Sequence, residues 1–165
     1  MEEGKLYVAY GSNLSLTQMS RRCPTARVIG LAELMDYELL FRGRRENAFA
    51  TVEPKQGSHV PVMIWRLQGD DELALDRYEG YPHLYEKKQV QVSIGREQME
   101  AMIYVMTPGQ SFGRPSSLYL GIIQEGYRNA GFDQGVLEIA VNVSEQMAMQ
   151  EDGQQEGMTG MDSLR

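Results

Sequence analysis

Strand patterns fill the first two thirds of this 165-residue chain, and helical spacing takes over after residue 115. Strands first and helices later is the order that predicts an α+β fold. A third observation shows where ligand chemistry belongs. Leu6-Tyr-Val-Ala-Tyr-Gly-Ser-Asn-Leu14 runs an apolar strand straight into a Tyr-Gly-Ser-Asn turn. Such a strand holds the turn in one place, and the turn exposes its backbone N–H groups there. Gly11 is expected to take backbone angles closed to other residues and to let a ligand approach the main chain. Successive N–H groups in a turn form a concave nest for a carboxylate or an oxyanion.

The elements follow in order. Residues 5–10 read as a strand. Ser15-Leu-Thr-Gln18 has the form of a capping box and predicts a short helix, which Pro24 ends. Residues 27–34 and 36–41 read as strands around a bend, and Arg42–Asn47 is polar enough for a loop. Residues 48–53 and 60–67 read as a further pair joined by Pro54-Lys-Gln-Gly57. Pro61 cannot donate to a ladder, so it is expected at a strand start or an edge. Asp70-Asp71-Glu72 opens a helix with acids at its positive end, and Gly80 and Pro82 stop it. Gln89–Ile94 alternates cleanly, with Met99–Met106 as its hairpin partner. Leu118, Ile122, Ile123 and Tyr127 mark a helix over 115–130 that ends at Gly131. The pattern of 135–143 suits either a helix or a strand.

The sequence divides at about residue 144. Residues 1–144 read as one domain. Residues 145–165 are Gln, Gly, Met and acid with no aromatic residue, and read as a flexible acidic tail. The formal charge is −7, and this tail holds five acids and one base against 18 and 15 in the first 144 residues. A basic nucleic-acid surface is therefore not expected. No apolar run approaches the ~20 residues of a membrane span, and the N-terminus lacks a secretion-signal pattern. Cys23 is the one cysteine, so no internal disulfide forms. These points lead to the expectation of a cytoplasmic protein with neither nucleic-acid nor membrane partners. The oligomeric state is not legible.

Candidate chemistry narrows by residue type. His59, His83 and Cys23 share no ligand spacing, so a metal site is not expected. Gly-x-Ser-x-Gly and the Gly-rich phosphate loops are missing. Carboxylates remain. In Leu75-Asp-Arg-Tyr-Glu-Gly-Tyr-Pro82, Glu79 ends a helix between two tyrosines. The negative end of the helix dipole and the apolar rings both raise a carboxyl pKa, which suits a proton shuttle near neutral pH. A solvated helix-end Glu is the plain alternative.

Together, the Tyr7–Leu14 turn and Leu75-Asp-Arg-Tyr-Glu-Gly80 resemble the gamma-glutamylcyclotransferase-like family. Ala50-Thr51-Val52, Val62–Leu67, Tyr85 with its following strand, and Pro115-Ser-Ser-Leu-Tyr119 occur in that family's order. The resemblance covers roughly residues 5–130. It implies a small mixed β-barrel with helices packed outside and a cavity at the barrel mouth for a gamma-glutamyl group. It also implies cyclisation of that group to 5-oxoproline with release of an amine or amino acid, and no cofactor. Carried over, the acid/base is Glu79. The turn residues Tyr7, Val8, Ala9, Tyr10, Gly11 and Ser12 would hold the glutamyl head, with Asn13 supporting the turn and Tyr85 and Tyr119 lining the pocket. The alternative is a small-ligand-binding or regulatory module that keeps the cavity without turnover.

Overall fold

The computed structural model describes the backbone of residues 4–163 and the side chains of residues 4–154. Strand β1 (Lys5–Ala9) leads through a single 3-10 turn (Ser12–Leu14) into helix α1 (Leu16–Arg22). Ser15 Oγ accepts a bond from Gln18 N, as the capping pattern predicts. The long strands β2 (Arg27–Gly43) and β3 (Phe49–Leu67) form one antiparallel hairpin. Helix α2 (Asp71–Glu79) follows, then the hairpin of β4 (Tyr85–Ile94) and β5 (Glu97–Met106). A two-residue strand β6 (Ser111–Phe112), α3 (Ser117–Ala130) and α4 (Gln134–Ser163) complete the chain.

The strands join in one mixed sheet of order β4-β5-β1-β3-β2-β6. Antiparallel pairing dominates, and β1 runs parallel to β5 through Tyr7 and Met102. The sheet curls into a half-barrel with the helices outside. Its core holds Val8, Phe41, Val62, Ile64, Ile103 and Tyr127, all fully buried. Strands β2 and β4 approach each other across a cleft lined by Leu31–Tyr37 and Gln89–Ser93. No ladder joins these two strands among the described residues, so the barrel stays open there.

Strand β3 differs from the expected pair of short strands. It runs unbroken from Phe49 to Leu67, with β2 as its partner on both sides of the Pro54–Gly57 segment. The register shifts between Met35 and Tyr37, where Asp36 adopts a φ of 64°. Gly57 N–H donates to Asp36 Oδ1 at 2.9 Å and ties the excursion down. Turn-forming residues therefore make a bend here and not a strand end. Pro61 lies inside β3 and pairs with Glu33. It sits past the last pair with β1, Ala9 with Met63, where one flank of β3 is open. That position satisfies the edge requirement without a strand start.

The C-terminal segment also departs from expectation. Helix α4 begins in the ambiguous 135–143 stretch and continues through the residues read as a flexible tail. Three of its acids have basic partners: Glu145 pairs with Arg114 at 2.9 Å, and Glu151 and Asp152 pair with Arg45 at 2.9 and 2.8 Å. Ala148 and Val143 pack on Leu40 and Phe112, and buried Ser144 Oγ accepts a bond from Phe41 N at 2.9 Å. Composition predicts poor self-burial, and the segment instead borrows the surface of β2 and β6. Leu164, Arg165 and the side chains beyond residue 154 lie outside the described residues. No described helix is long and apolar enough to cross a membrane.

The loop between β2 and β3 is held against residues 112–114. Ala48 N donates to Arg114 O at 3.0 Å, and Arg114 N to Arg45 O at 2.9 Å. Gly113 makes this contact possible, because a Cβ there would sit 1.8 Å from the Arg44 carbonyl oxygen. Backbone meets backbone, so no flexible side chain can give way. Gly113→Ala is expected to cost at least about 2 kcal/mol, at the upper end of ordinary overpacking. The urea denaturation midpoint reads this, and an unchanged midpoint would disprove the contact.

Candidate active site

Seven segments converge at one end of the half-barrel around a partly open cavity of about 150 Å³. Tyr7 comes from β1, and Tyr10 to Asn13 from the turn that follows it. Phe49 and Ala50 open β3. Tyr78 and Glu79 close α2, Leu84 and Tyr85 open β4, Tyr104 lies near the end of β5, and Tyr119 lies in the first turn of α3. Each sits at or near the end of an element, where backbone direction is fixed but a side chain can still reach open space.

The turn is set by its own hydrogen bonds. Leu14 N donates to Gly11 O and Ser15 N to Ser12 O, both at 3.0 Å. A 3-10 turn leaves its first N–H groups without partners inside the turn, so those of Gly11 to Asn13 are not used by it. Gly11 has φ −126° and does not take the left-handed conformation. Glycine is suited here by space. An added Cβ would lie 3.3 Å from Ala50 Cβ and 3.5 Å from the Tyr119 hydroxyl, inside the cavity wall.

Side chains brace the turn. Asn13 Nδ2 donates to Tyr7 OH at 2.8 Å, and Arg22 Nη1 donates to Asn13 Oδ1. Arg22 also donates to Gln18 Oε1 at 3.2 Å and lies 3.4 Å over the Tyr78 ring. Tyr78 OH in turn shares a 2.8 Å hydrogen bond with Ser12 Oγ. One guanidinium thereby fixes both the turn and the end of α2.

A ring of phenols lines the rest. Tyr119 OH accepts from Ala50 N at 3.1 Å, while Tyr85 OH donates to Ala50 O at 2.7 Å. Tyr10 OH donates to Tyr104 O at 2.6 Å. The pattern sorts the hydroxyls. Tyr10 and Tyr85 spend their protons on carbonyls, whereas Tyr7 and Tyr119 accept and keep an O–H to offer. Burial pushes the pKa of Tyr7, Tyr10, Tyr85 and Tyr119 above the ordinary tyrosine value, so all four stay neutral. Behind the ring, Tyr104 OH donates to Asp76 Oδ1 at 2.5 Å, and Lys87 Nζ bridges Asp76 and Glu72 at 2.9 and 2.6 Å.

Glu79 is the one charged side chain among the described residues that line the cavity. It is the last residue of α2. Gly80 caps the helix in the left-handed conformation at φ 64°, and Tyr81 N donates to Asp76 O. The half-buried Glu79 carboxylate makes no hydrogen bond or ion pair among the described residues. Desolvation raises its pKa to about 7, with Arg22 pulling the other way. A carboxyl group poised near neutral pH beside neutral donors can accept and return a proton.

The structure brings Tyr7, Tyr10, Gly11, Ser12, Asn13, Glu79, Tyr85 and Tyr119 around one cavity. Val8 and Ala9 are different. They are 0% and 1% exposed, belong to the core, and do not line the cavity. Sequence reading missed Phe49, Ala50, Tyr78, Leu84 and Tyr104. Tyr78 was visible as the neighbour of Glu79, whereas Phe49 and Tyr104 arrive only through the curl of the sheet. Arg22, which braces the turn from outside, carried no local signal beyond its place in the last turn of α1. His59 and His83 are exposed and do not line the cavity. Cys23 is buried, with its thiol pushed up to about 11.

The chain is similar in sequence and fold to known proteins. The sequence pattern of the family described as gamma-glutamyl cyclotransferase, AIG2-like, matches residues 7–126. The Mus musculus gamma-glutamylcyclotransferase is 31% identical over 145 residues, covering 81% of this chain and 76% of the mouse protein. The Homo sapiens gamma-glutamylcyclotransferase is 31% identical over 140 residues, covering 79% and 73%. A solved gamma-glutamyl cyclotransferase structure superposes with a TM-score of 0.75 at 26% identity, covering 84% of this chain and 86% of that one.

The raised Glu79 pKa has a consequence for stability. Below its ordinary value of 4.5 the group is protonated in both folded and unfolded states and costs nothing. As pH rises from there through about 7, the unfolded chain ionises first, so folded stability falls; above 7 the loss is constant. Glu79→Gln removes this penalty. The melting temperature of the variant relative to wild type is expected to be higher at pH 8 than at pH 5. A difference that does not change with pH would contradict the desolvated carboxyl.

Proposed function

Because the chain belongs to the gamma-glutamyl cyclotransferase, AIG2-like family, we propose that it cyclises a gamma-glutamyl group to 5-oxoproline with release of an amine. The observation that carries this reading is Glu79, a desolvated and unpartnered carboxyl beside a turn with free N–H groups. The relatives that bear the gamma-glutamylcyclotransferase name support the reaction class.

The reaction balances without an outside nucleophile or cofactor. The alpha-amine of the substrate attacks its own gamma-carbonyl carbon. A nitrogen–carbon bond forms as the bond from that carbon to the leaving nitrogen breaks. The substrate ammonium loses two protons in becoming the lactam N–H, and the leaving nitrogen gains two in departing as an ammonium; Glu79 carries them across one at a time, a task typically worth ~10²–10⁴-fold. It is thus an intramolecular acyl transfer that eliminates an amine.

The cavity supplies the remaining needs. A small volume favours a folded glutamyl chain, with amine and carbonyl already close, and such positioning is worth up to ~7–11 kcal/mol. The turn N–H groups and the free O–H groups of Tyr7 and Tyr119 stabilise negative oxygen, either the alpha-carboxylate or the developing oxyanion. Neutral phenols give this help without neutralising Glu79. A cytoplasmic setting fits an enzyme whose one cysteine is buried and unpaired.

Glu79→Gln is expected to abolish 5-oxoproline release while ligand binding persists, measured by product assay beside calorimetry. Comparable turnover by the variant would remove the acid/base assignment. In wild type, kcat/KM should rise with pH through an apparent pKa near 7, as Glu79 becomes the free base. A flat profile between pH 6 and 8 would point to another base. Gly11→Ala places a methyl group against the cavity wall and should raise KM about tenfold or more. Unchanged kinetics would mean that substrate does not approach this turn.

A further inference from the structure

The cavity has two unlike halves, and the outer half is not explained by glutamyl binding. Tyr7, Tyr10 and Asn13 are buried, and with Glu79 they make a polar interior. Phe49 and Tyr78 also line the cavity, yet they are 41% and 46% exposed. The cavity volume of about 150 Å³ is well below the roughly 300–1,000 Å³ that holds a drug-sized ligand. One amino-acid-sized group fills it, so the rest of a substrate must lie outside it, toward the part of the lining that these two rings leave open to solvent.

Both rings are held in place. Phe49 packs edge-on to Tyr119 with centroids 5.2 Å apart. Tyr78 is fixed through its hydroxyl to Ser12 and through its face to Arg22. Exposed apolar surface that is already immobile loses little entropy on binding. The charge pattern points the same way. The Arg22 guanidinium is committed to Asn13, Gln18 and the Tyr78 ring, and Glu79 repels a second carboxylate.

We propose that Phe49 and Tyr78 form the leaving-group site, and that it selects gamma-glutamyl compounds whose released amine carries an uncharged apolar or aromatic body. This rests on the cyclotransferase reading and adds the substrate class. In the reaction the leaving nitrogen sits at the inner edge of the two rings, where Glu79 returns protons, and the amine body lies against the rings.

The test compares three synthetic substrates with the full-length enzyme: gamma-glutamyl-methylamide, gamma-glutamyl-benzylamide and gamma-glutamylglycine. 5-Oxoproline release is measured for each. Wild type should favour benzylamide over methylamide about tenfold in kcat/KM, the effect of roughly 55 Å² of apolar surface leaving water. Glycine, with its carboxylate, should be the poorest of the three. Phe49→Ala should lower the benzylamide-to-methylamide ratio to near one, and Phe49→Leu should keep much of it. The ratio is taken within one protein preparation, so a general loss of folded enzyme cancels. Equal rates for benzylamide and methylamide in wild type, or a preference that survives Phe49→Ala, would overturn the inference and leave the reaction standing. No release from any substrate would overturn the cyclotransferase reading and this inference with it.

Discussion

The bend in the β2–β3 hairpin is the constraint on which the site depends. Ala50 and Met63 lie on the same strand, and Met63 pairs with Ala9 beside the turn. Laid flat, the 13 steps between them would span roughly 43 Å at the usual rise per residue. Yet a Cβ on Gly11 would sit 3.3 Å from Ala50. The strand must therefore fold back over the end of β1. The left-handed Asp36, the shifted register and the Gly57–Asp36 bond make the bend. Once bent, the first half of β3 meets new partners. Met106 N donates to Thr51 Oγ1 at 2.9 Å, and the backbone N–H and C=O of Ala50 bond to tyrosines of α3 and β4. One residue thus links three elements around the cavity.

The second constraint is electrostatic. A carboxyl group inside a protein is usually accommodated by a cation or several N–H donors, and either would depress its pKa. Here the walls are phenols that burial keeps protonated, and the negative charge of Glu79 raises several of them further. Arg22 is near enough to be felt but its donors go to Asn13 and Gln18. The charge is thus left partly uncompensated, which costs stability and keeps the proton exchangeable near neutral pH. Sites that break the rules of stable packing in this way are where function is expected.

Local pattern made much of the fold legible. The Ser15 cap, the helix from Asp71 to Gly80, the β4–β5 alternation and the Gly131 stop all express rules that act within one turn or one strand. Glu79 was legible for the same reason, since its helix end and tyrosine neighbours lie beside it in sequence. What failed needed distant partners. Pro54 and Gly57 look like a strand break until Asp36 is across from them. Val8 and Ala9 share a motif with cavity residues, but a core strand buries them. Phe49 and Tyr104 sit 55 residues apart and meet only because the sheet curls.

The acidic segment shows why composition alone misjudged the C-terminus. Residues 145–152 carry charges that would keep a free chain extended, but their partners Arg45 and Arg114 flank the loop that leads into Phe49 and Ala50. Each exposed pair is worth only ~0–1 kcal/mol, so the charges do not hold the loop by themselves. The loop's register comes from the Ala48–Arg114 and Arg114–Arg45 backbone bonds and the close fit at Gly113. The ion pairs act on what remains: they keep α4 over β6 and hold the Arg45 side chain, which also donates to Phe112 O at 2.8 Å. The cavity wall at Phe49 is therefore braced by β2 and α3, and the loop before it is braced by the last helix. A segment that cannot bury itself is accommodated by the strands it lies against, through Leu40, Phe112 and the Ser144–Phe41 hydrogen bond.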